Sequence, residues 1–267
     1  MGTGKGNTVW RLFILLIIAV PFYPLIIWSV ASGWQWPKLV PNEVQWRAWQ
    51  YVFSSGDVWQ SIGLTMWIAV VVLVINLLLA IPSGRALAFY DFKGKGFVEL
   101  ILIMPIMIPP YAIMMGLQLL FLRAGITDQM IGVIIAHIFP TLPYMVRALT
   151  ISYSAAGREW EEVASVLGAS KRQTFTAVTI PYLLPGIIAG SFLVVIISIS
   201  QYIITMIIGG GQVVTLPLLL VPFILGDNPV IAAAYNSLFA FLAIGIMILM
   251  EVFLKLYYRN RQEFAVK

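Results

Sequence analysis

Apolar residues come in long runs along this chain, and the runs set its architecture. A helix needs about 20 predominantly apolar residues to cross the hydrocarbon of a bilayer. Six stretches qualify, at 11 to 31, 60 to 82, 97 to 121, 129 to 150, 186 to 208 and 229 to 256. One polar stretch, 154 to 185, interrupts this pattern with SAAGREWEEVASVLGASKRQTFTAVTIPYLLP. Within it Trp160, Val163, Ala164 and Leu167 fall at i, i+3, i+4 and i+7, which predicts a short amphipathic helix with Arg158, Glu159, Glu161 and Glu162 around its polar side. The carboxylates of its first turn suit the positive end of the helix dipole. Gly168 can take the left-handed conformation that closes such a helix, and Ser170 with Gln173 three residues later forms a capping box that opens a second. Pro181 is expected to end that second helix. The pattern therefore predicts an all-α integral membrane protein, a single domain over 1 to 267, with six transmembrane helices and a helix-turn-helix loop between the fourth and fifth.

Composition agrees. At 61% hydrophobic and 10% charged residues, the chain has too few charges to cover the surface of a soluble globule. Its net charge of +5 is explained by orientation in the bilayer, and nucleic acid is not expected as a partner. With the amino terminus inside, thirteen of the sixteen lysines and arginines lie on the inner side, and only Lys38, Arg47 and Arg123 lie outside. Both termini and the 154 to 185 loop are thus expected in the cytoplasm. Arg11 and the apolar run after it could be a signal peptide cleaved near Ser29-Val30-Ala31, but Pro21, Pro24 and the length of the run favour a retained span. There is no cysteine, hence no disulfide framework or thiolate metal site. No G-x-x-x-x-G-K-[ST] sequence occurs, so this chain is not expected to cradle and hydrolyse ATP through a P-loop of its own. Paired carboxylates, a Ser-His-Asp set and an H-E-x-x-H cluster are also missing, which argues against a membrane enzyme.

The polar stretch resembles the cytoplasmic EAA signature loop of the membrane subunits of bacterial ATP-binding-cassette importers of type I. That pattern is Glu-Ala-Ala, three residues, Gly, nine residues, then Ile-x-Leu-Pro. Here it reads Glu162-Val163-Ala164, three residues, Gly168, nine residues and Val178-Thr179-Ile180-Pro181. Spacing is kept, and Val163, Val178 and Ile180 are small or aliphatic departures. The resemblance implies that Arg158, Glu159, Glu161, Glu162, Ala164, Leu167, Gly168, Ala169, Ser170 and Pro181 form a coupling loop. Its first helix would dock on an ATPase subunit and pass that subunit's motion to the spans. It implies as partners two ATP-binding-cassette ATPase subunits carrying ATP and Mg, an extracytoplasmic solute-binding protein, the lipid bilayer, and a second permease subunit, with a paralogue expected over an identical copy. This chain itself would hold no cofactor and catalyse nothing. The basic turn from Phe92 to Gly96, after the small-residue run Pro82 to Tyr90, is similar to the family's second-span terminus.

The fifth run carries Ser198, Gln201, Tyr202 and Thr205 at i, i+3, i+4 and i+7, a polar face expected to turn inward, either to bind another helix or to line a path. The resemblance favours the path. Permeases of the spermidine/putrescine, thiamine, ferric-iron and phosphonate type often have Ser-x-x-acidic-aromatic here, and Gln201 replaces the acidic residue. Polyamine is the first expected cargo, with thiamine, ferric iron and phosphonate following. Tyr111 and His137 join the candidate path residues; His137, the only histidine, is first expected to hydrogen-bond a neighbouring helix. Prolines 105, 109, 110, 140 and 143 predict kinked helices near the bundle interior. Trp34, Trp36, Trp46, Trp49 and Trp59 read as interfacial anchors, and the apolar stretch from Gly209 to Val230 reads as a re-entrant segment. The competing class is an ion-coupled secondary transporter, which would call for internal repeats that the single long loop does not provide.

Overall fold

The computed structural model describes residues 10, 14, 17, 19–20, 22–32, 34, 38, 41–226 and 228–265. Seven residues in the first half of the first expected span, together with Lys5, Trp36, Asp227 and Lys267, lie outside the described residues. Labelled from the first described element, the order is α1 (Phe22–Val30), β1 (Ala31–Ser32), β2 (Glu43–Val44), α2 (Arg47–Ser54), α3 (Gly56–Phe89), α4 (Lys95–Met107), α5 (Pro110–Ala124), α6 (Met130–Ala156) and α7 (Glu159–Val166). Then follow α8 (Lys171–Ile199), α9 (Ile203–Gly209), α10 (Leu216–Leu225) and α11 (Pro229–Ala265). Among the described residues the fold is all-α but for one two-residue antiparallel pairing, Ala31 with Val44 and Ser32 with Glu43.

Among the described residues, four helices are long and apolar enough to cross a membrane: α3, α6, α8 and the Pro229–Phe253 part of α11. The expected span at 97 to 121 is not one straight helix. It is α4 and α5, bent by 106°. Proline chemistry places the corner: Ile108, which precedes Pro109, is held extended at φ −86°, ψ 134°, and Pro110 sits at the first turn of α5, where its missing N–H costs nothing.

The expected end of a helix at Pro181 is also corrected. The chain runs on as one helix from Lys171 past Pro181 to Ile199, and the elbow before it covers 157–170. A π-turn over Phe175–Thr179 makes this possible, because the Ile180 N–H reaches back to the Phe175 carbonyl and Pro181 falls at the start of a fresh α segment.

The chain divides into two compact units, each of which can be described on its own. The first, Met1–Ser61 with Leu218–Ile244, is knit by aromatic rings. Trp49 stacks on Phe53 and on Phe241 at 5.5 and 6.2 Å, and its indole N–H donates to Ser29 Oγ at 3.1 Å. Trp49 is therefore a packing residue, whereas Trp46 and Trp59 stay exposed as anchors require. The second unit, Ile62–Pro217 with Gly245–Lys267, holds the larger core, in which Val72, Val133, Met145, Leu149, Val194 and Ile208 are buried. Its most extensively packed helix pair is α6 against α8, and small residues permit the approach. A Cβ at Gly186 would strike Ser152 Oγ and the Ala148 carbonyl, and one at Gly190 would lie 2.6 Å from Met145 Sδ. Gly186 and Gly190, four apart, make the small-xxx-small seam by which helices associate where lipid provides no hydrophobic drive.

Candidate functional site: a polar elbow and a pinned helix break

The elbow begins where Gly157, at φ +73°, turns the chain out of α6. In α7 the acidic first turn holds Glu159, Glu161 and Glu162. Gly168 takes φ +83°; its N–H reaches the Ser165 carbonyl and that of Ala169 reaches Ala164, both at 3.0 Å, which is a Schellman closure. Ser170 and Gln173 then form a complete capping box for α8.

Glu161 decides which way α7 faces. One carboxylate oxygen takes the Arg85 guanidinium from the end of α3 at 2.5 Å, and the other accepts from Thr179 Oγ1 in the π-turn at 2.8 Å. Two spans are thereby tied to one turn of the elbow. Trp160 stacks on Tyr182 at 5.9 Å, and Arg158 caps the Tyr90 ring while pairing loosely with Glu162 at 3.5 Å. The apolar stripe expected on α7 is thus not turned into this chain. Only Ala164 is buried, and Val166 and Leu167 are 88% and 80% exposed. The helix thus turns a carboxylate toward the spans and leaves leucine and valine exposed on its other side. Behind it lies an open cleft of about 490 Å³, lined by Arg85, Glu161, Lys171 and Thr179 among others.

The second cluster is inside the bundle. Ser198, Gln201, Tyr202 and Thr205 do not share one helical face, because the helix breaks at Ser200–Tyr202 between α8 and α9. His137, 1% exposed, spans that break: Nδ1 lies 3.0 Å from Ser198 Oγ, and Nε2 3.1 Å from Thr205 Oγ1. Thr205 donates its hydroxyl proton to the Gln201 carbonyl at 2.7 Å, so it must accept from His137. The proton then sits on Nε2, and Nδ1 accepts from Ser198, which satisfies every group with a neutral imidazole. A second link joins α3 to α6: Asn76 Nδ2 donates to Thr141 Oγ1 at 3.0 Å, and Thr141 donates to the His137 carbonyl at 2.7 Å.

The candidate path residues are therefore divided. His137, Ser198 and Thr205 are buried and bonded to one another, while Gln201 and Tyr202 at the break are only partly buried. Tyr111 stands exposed at the start of α5, and no hydrogen bond or ring contact among the described residues joins it to the cluster. The tie from Glu161 to Arg85 and Thr179 was not visible beforehand, since Arg85 lies 76 positions away.

A protein-family model described as the binding-protein-dependent transport system inner membrane component matches residues 76–260, which hold both clusters. The chain belongs to this family. It is a multi-pass inner-membrane protein and a component of a transport system. It is 35% identical over 128 residues to the molybdate/tungstate transport system permease protein WtpB of Pyrococcus abyssi, a match covering 48% of this chain and 51% of that one, about half the relative's length. To WtpB of Methanocaldococcus jannaschii it is 31% identical over 207 residues, 74% of this chain and 76% of that one. To the putrescine transport system permease protein PotI of Escherichia coli K12 it is 26% identical over 254 residues, covering 89% and 88%. Its fold is similar to that of a bacterial ABC transporter involved in the import of the acidic polysaccharide alginate, with a TM-score of 0.68 and 19% identity, covering 96% of this chain and 95% of that one.

Proposed function

We propose that this chain is the permease subunit of an ATP-driven, binding-protein-dependent importer of a small solute. Two ATPase subunits hold the α7 elbows of this chain and of a second permease subunit, and an extracytoplasmic solute-binding protein delivers the cargo. Closure of the ATPases on ATP pushes on α7, and Glu161 carries the push into α3 through Arg85 and into α8 through Thr179. The bundle then exchanges outward for inward access. The elbow and both termini lie in the cytoplasm. The observation that carries this reading is the outward set of Val163, Val166 and Leu167 on a helix whose inward face is fixed by a carboxylate. Membership of the family weighs against a secondary transporter working alone.

The solute passes Gln201 and Tyr202 at the helix break, where the Gln201 side-chain amide forms no hydrogen bond with a described residue and the Tyr202 hydroxyl is held only by Met206 Sδ at 2.9 Å; His137, Ser198 and Thr205 hold the break in shape. For the cargo, a tetrahedral oxyanion is the reading we favour. The molybdate/tungstate relatives are the more similar in sequence, and the break offers an amide and a phenol where a dication would call for a carboxylate. Polyamine is the second reading, favoured by the nearly full-length match to the putrescine permease.

The test is uptake by reconstituted complexes. Gly168→Asp and Glu162→Lys should abolish solute uptake while the chain still inserts and assembles; full transport by both would overturn coupling through this elbow. Competition of tungstate against putrescine in the same vesicles separates the two cargo readings.

A further inference from the structure

A second cavity of about 520 Å³ opens between the end of α3, α4 and α6 and shares no lining residue with the elbow cleft or the helix break. Leu87, Leu102, Ile103, Ile106, Pro143 and Val146 supply apolar walls. Two charges face it, Glu99 from α4 and Arg147 from α6. Neither side chain forms an ion pair or hydrogen bond with any described residue. Ionisable groups on membrane-crossing segments are costly unless something neutralises them, and these two have opposite sign and a shared cleft.

Their depth narrows the choice of ligand. Glu99 lies four residues into α4 from Lys95, roughly 6 Å along the helix axis, and Arg147 lies seven residues before the polar stretch at Ser154, roughly 10 Å. Both are within snorkelling reach of the headgroup layer on the elbow's side of the membrane. The outer flank of α4 is apolar and open, with Phe97 65%, Leu100 51% and Met107 72% exposed. A path for a polar solute would not be walled this way, whereas acyl chains would lie along such a flank.

We propose that this cleft binds one zwitterionic phospholipid with a primary ammonium, of the phosphatidylethanolamine class. Arg147 takes the phosphate, Glu99 accepts from the ammonium, and the apolar wall takes the start of the acyl chains. The net charge of the pair is zero, which matches a zwitterion and disfavours an anionic lipid. A quaternary headgroup has no N–H to give Glu99, so phosphatidylcholine fits less well.

The experiment uses the complete permease–ATPase complex in vesicles of phosphatidylethanolamine with phosphatidylglycerol, against vesicles in which phosphatidylcholine replaces the phosphatidylethanolamine. Lipid that stays with the complex through detergent extraction is measured by mass spectrometry. The native complex should retain phosphatidylethanolamine in preference to both other lipids. Glu99→Gln, which is nearly isosteric, should abolish the preference over phosphatidylcholine, and Arg147→Gln should lower retention roughly fivefold for either lipid, the worth of one basic contact to a headgroup. Ile103→Trp, which fills the cleft and leaves both charges in place, should lower retention as well. Unchanged retention in all three variants overturns the proposal. So does displacement of the lipid by soluble phosphoethanolamine alone, which would make the cleft a solute site. All these readouts are independent of uptake, so failure here leaves the transport reading untouched, and a chain that purified without ATPase subunits would be assayed for retained lipid in the same way.

Discussion

Glu161→Ala removes a side chain that ties the elbow to two helices, through Arg85 of α3 and Thr179 of α8. Its partner Arg85 is 43% exposed, so the ion pair is worth about 0.5–1 kcal/mol after solvent screening. Thr179 is 7% exposed and loses its acceptor, a further cost of about 1 kcal/mol. Together these make roughly 1.5–2 kcal/mol, which shifts the balance between a seated and an unseated elbow about 10- to 30-fold. The ATPase subunits should still bind the exposed Val166 and Leu167, so hydrolysis persists while solute moved per ATP falls. Proteoliposomes that report both quantities provide the assay. Thr179→Val should show about half of the effect, because the ion pair survives. A double-mutant cycle of Arg85→Gln with Glu161→Gln should give a coupling free energy of about 0.5–1 kcal/mol. Native stoichiometry in Glu161→Ala, together with strict additivity in the cycle, would refute the proposed route of force.

Other perturbations test the frame around that tie. Gly190→Leu drives a side chain into Met145 and Ala148 at the α6–α8 seam and should cost about 3 kcal/mol, seen as a lowered Tm of the detergent-purified complex. Gly245→Ala, where nothing lies within 4 Å, is its control and should be neutral. His137→Phe leaves Ser198 and Thr205 without their bridge at about 1–2 kcal/mol, and faster amide hydrogen exchange over 201–205 would report the loosened break. Gln201→Leu should instead change solute affinity with the Tm unaltered.

What the sequence disclosed depended on whether the signal was local. Gly168, Ser170 and Gln173 act within one turn of themselves, and the elbow closes and reopens as their chemistry requires. Long apolar runs likewise predict α3, α6 and α11, although α3 and α11 continue past the apolar runs into polar sequence that the hydrocarbon thickness does not bound. Prolines were harder. Pro109-Pro110 marks a discontinuity, but a kink and a 106° corner carry the same letters, and Pro181 lies inside a continuous helix only because a π-turn re-registers the chain before it. The face from Ser198 to Thr205 assumes 100° per residue through Ser200–Tyr202, where no glycine or proline announces the break. His137, which bridges residues 61 and 68 positions away, and Glu161, which meets Arg85, depend on tertiary packing that periodicity does not encode.

Because the chain has no cysteine, a single Leu167→Cys on the elbow provides an unambiguous probe. In the assembled transporter this thiol should cross-link to an ATPase subunit, with a yield that changes between ATP-bound and nucleotide-free states, and it should be shielded from an impermeant thiol reagent added outside intact cells. Labelling from the outside, or the lack of any cross-link to a nucleotide-hydrolysing subunit, would contradict the account.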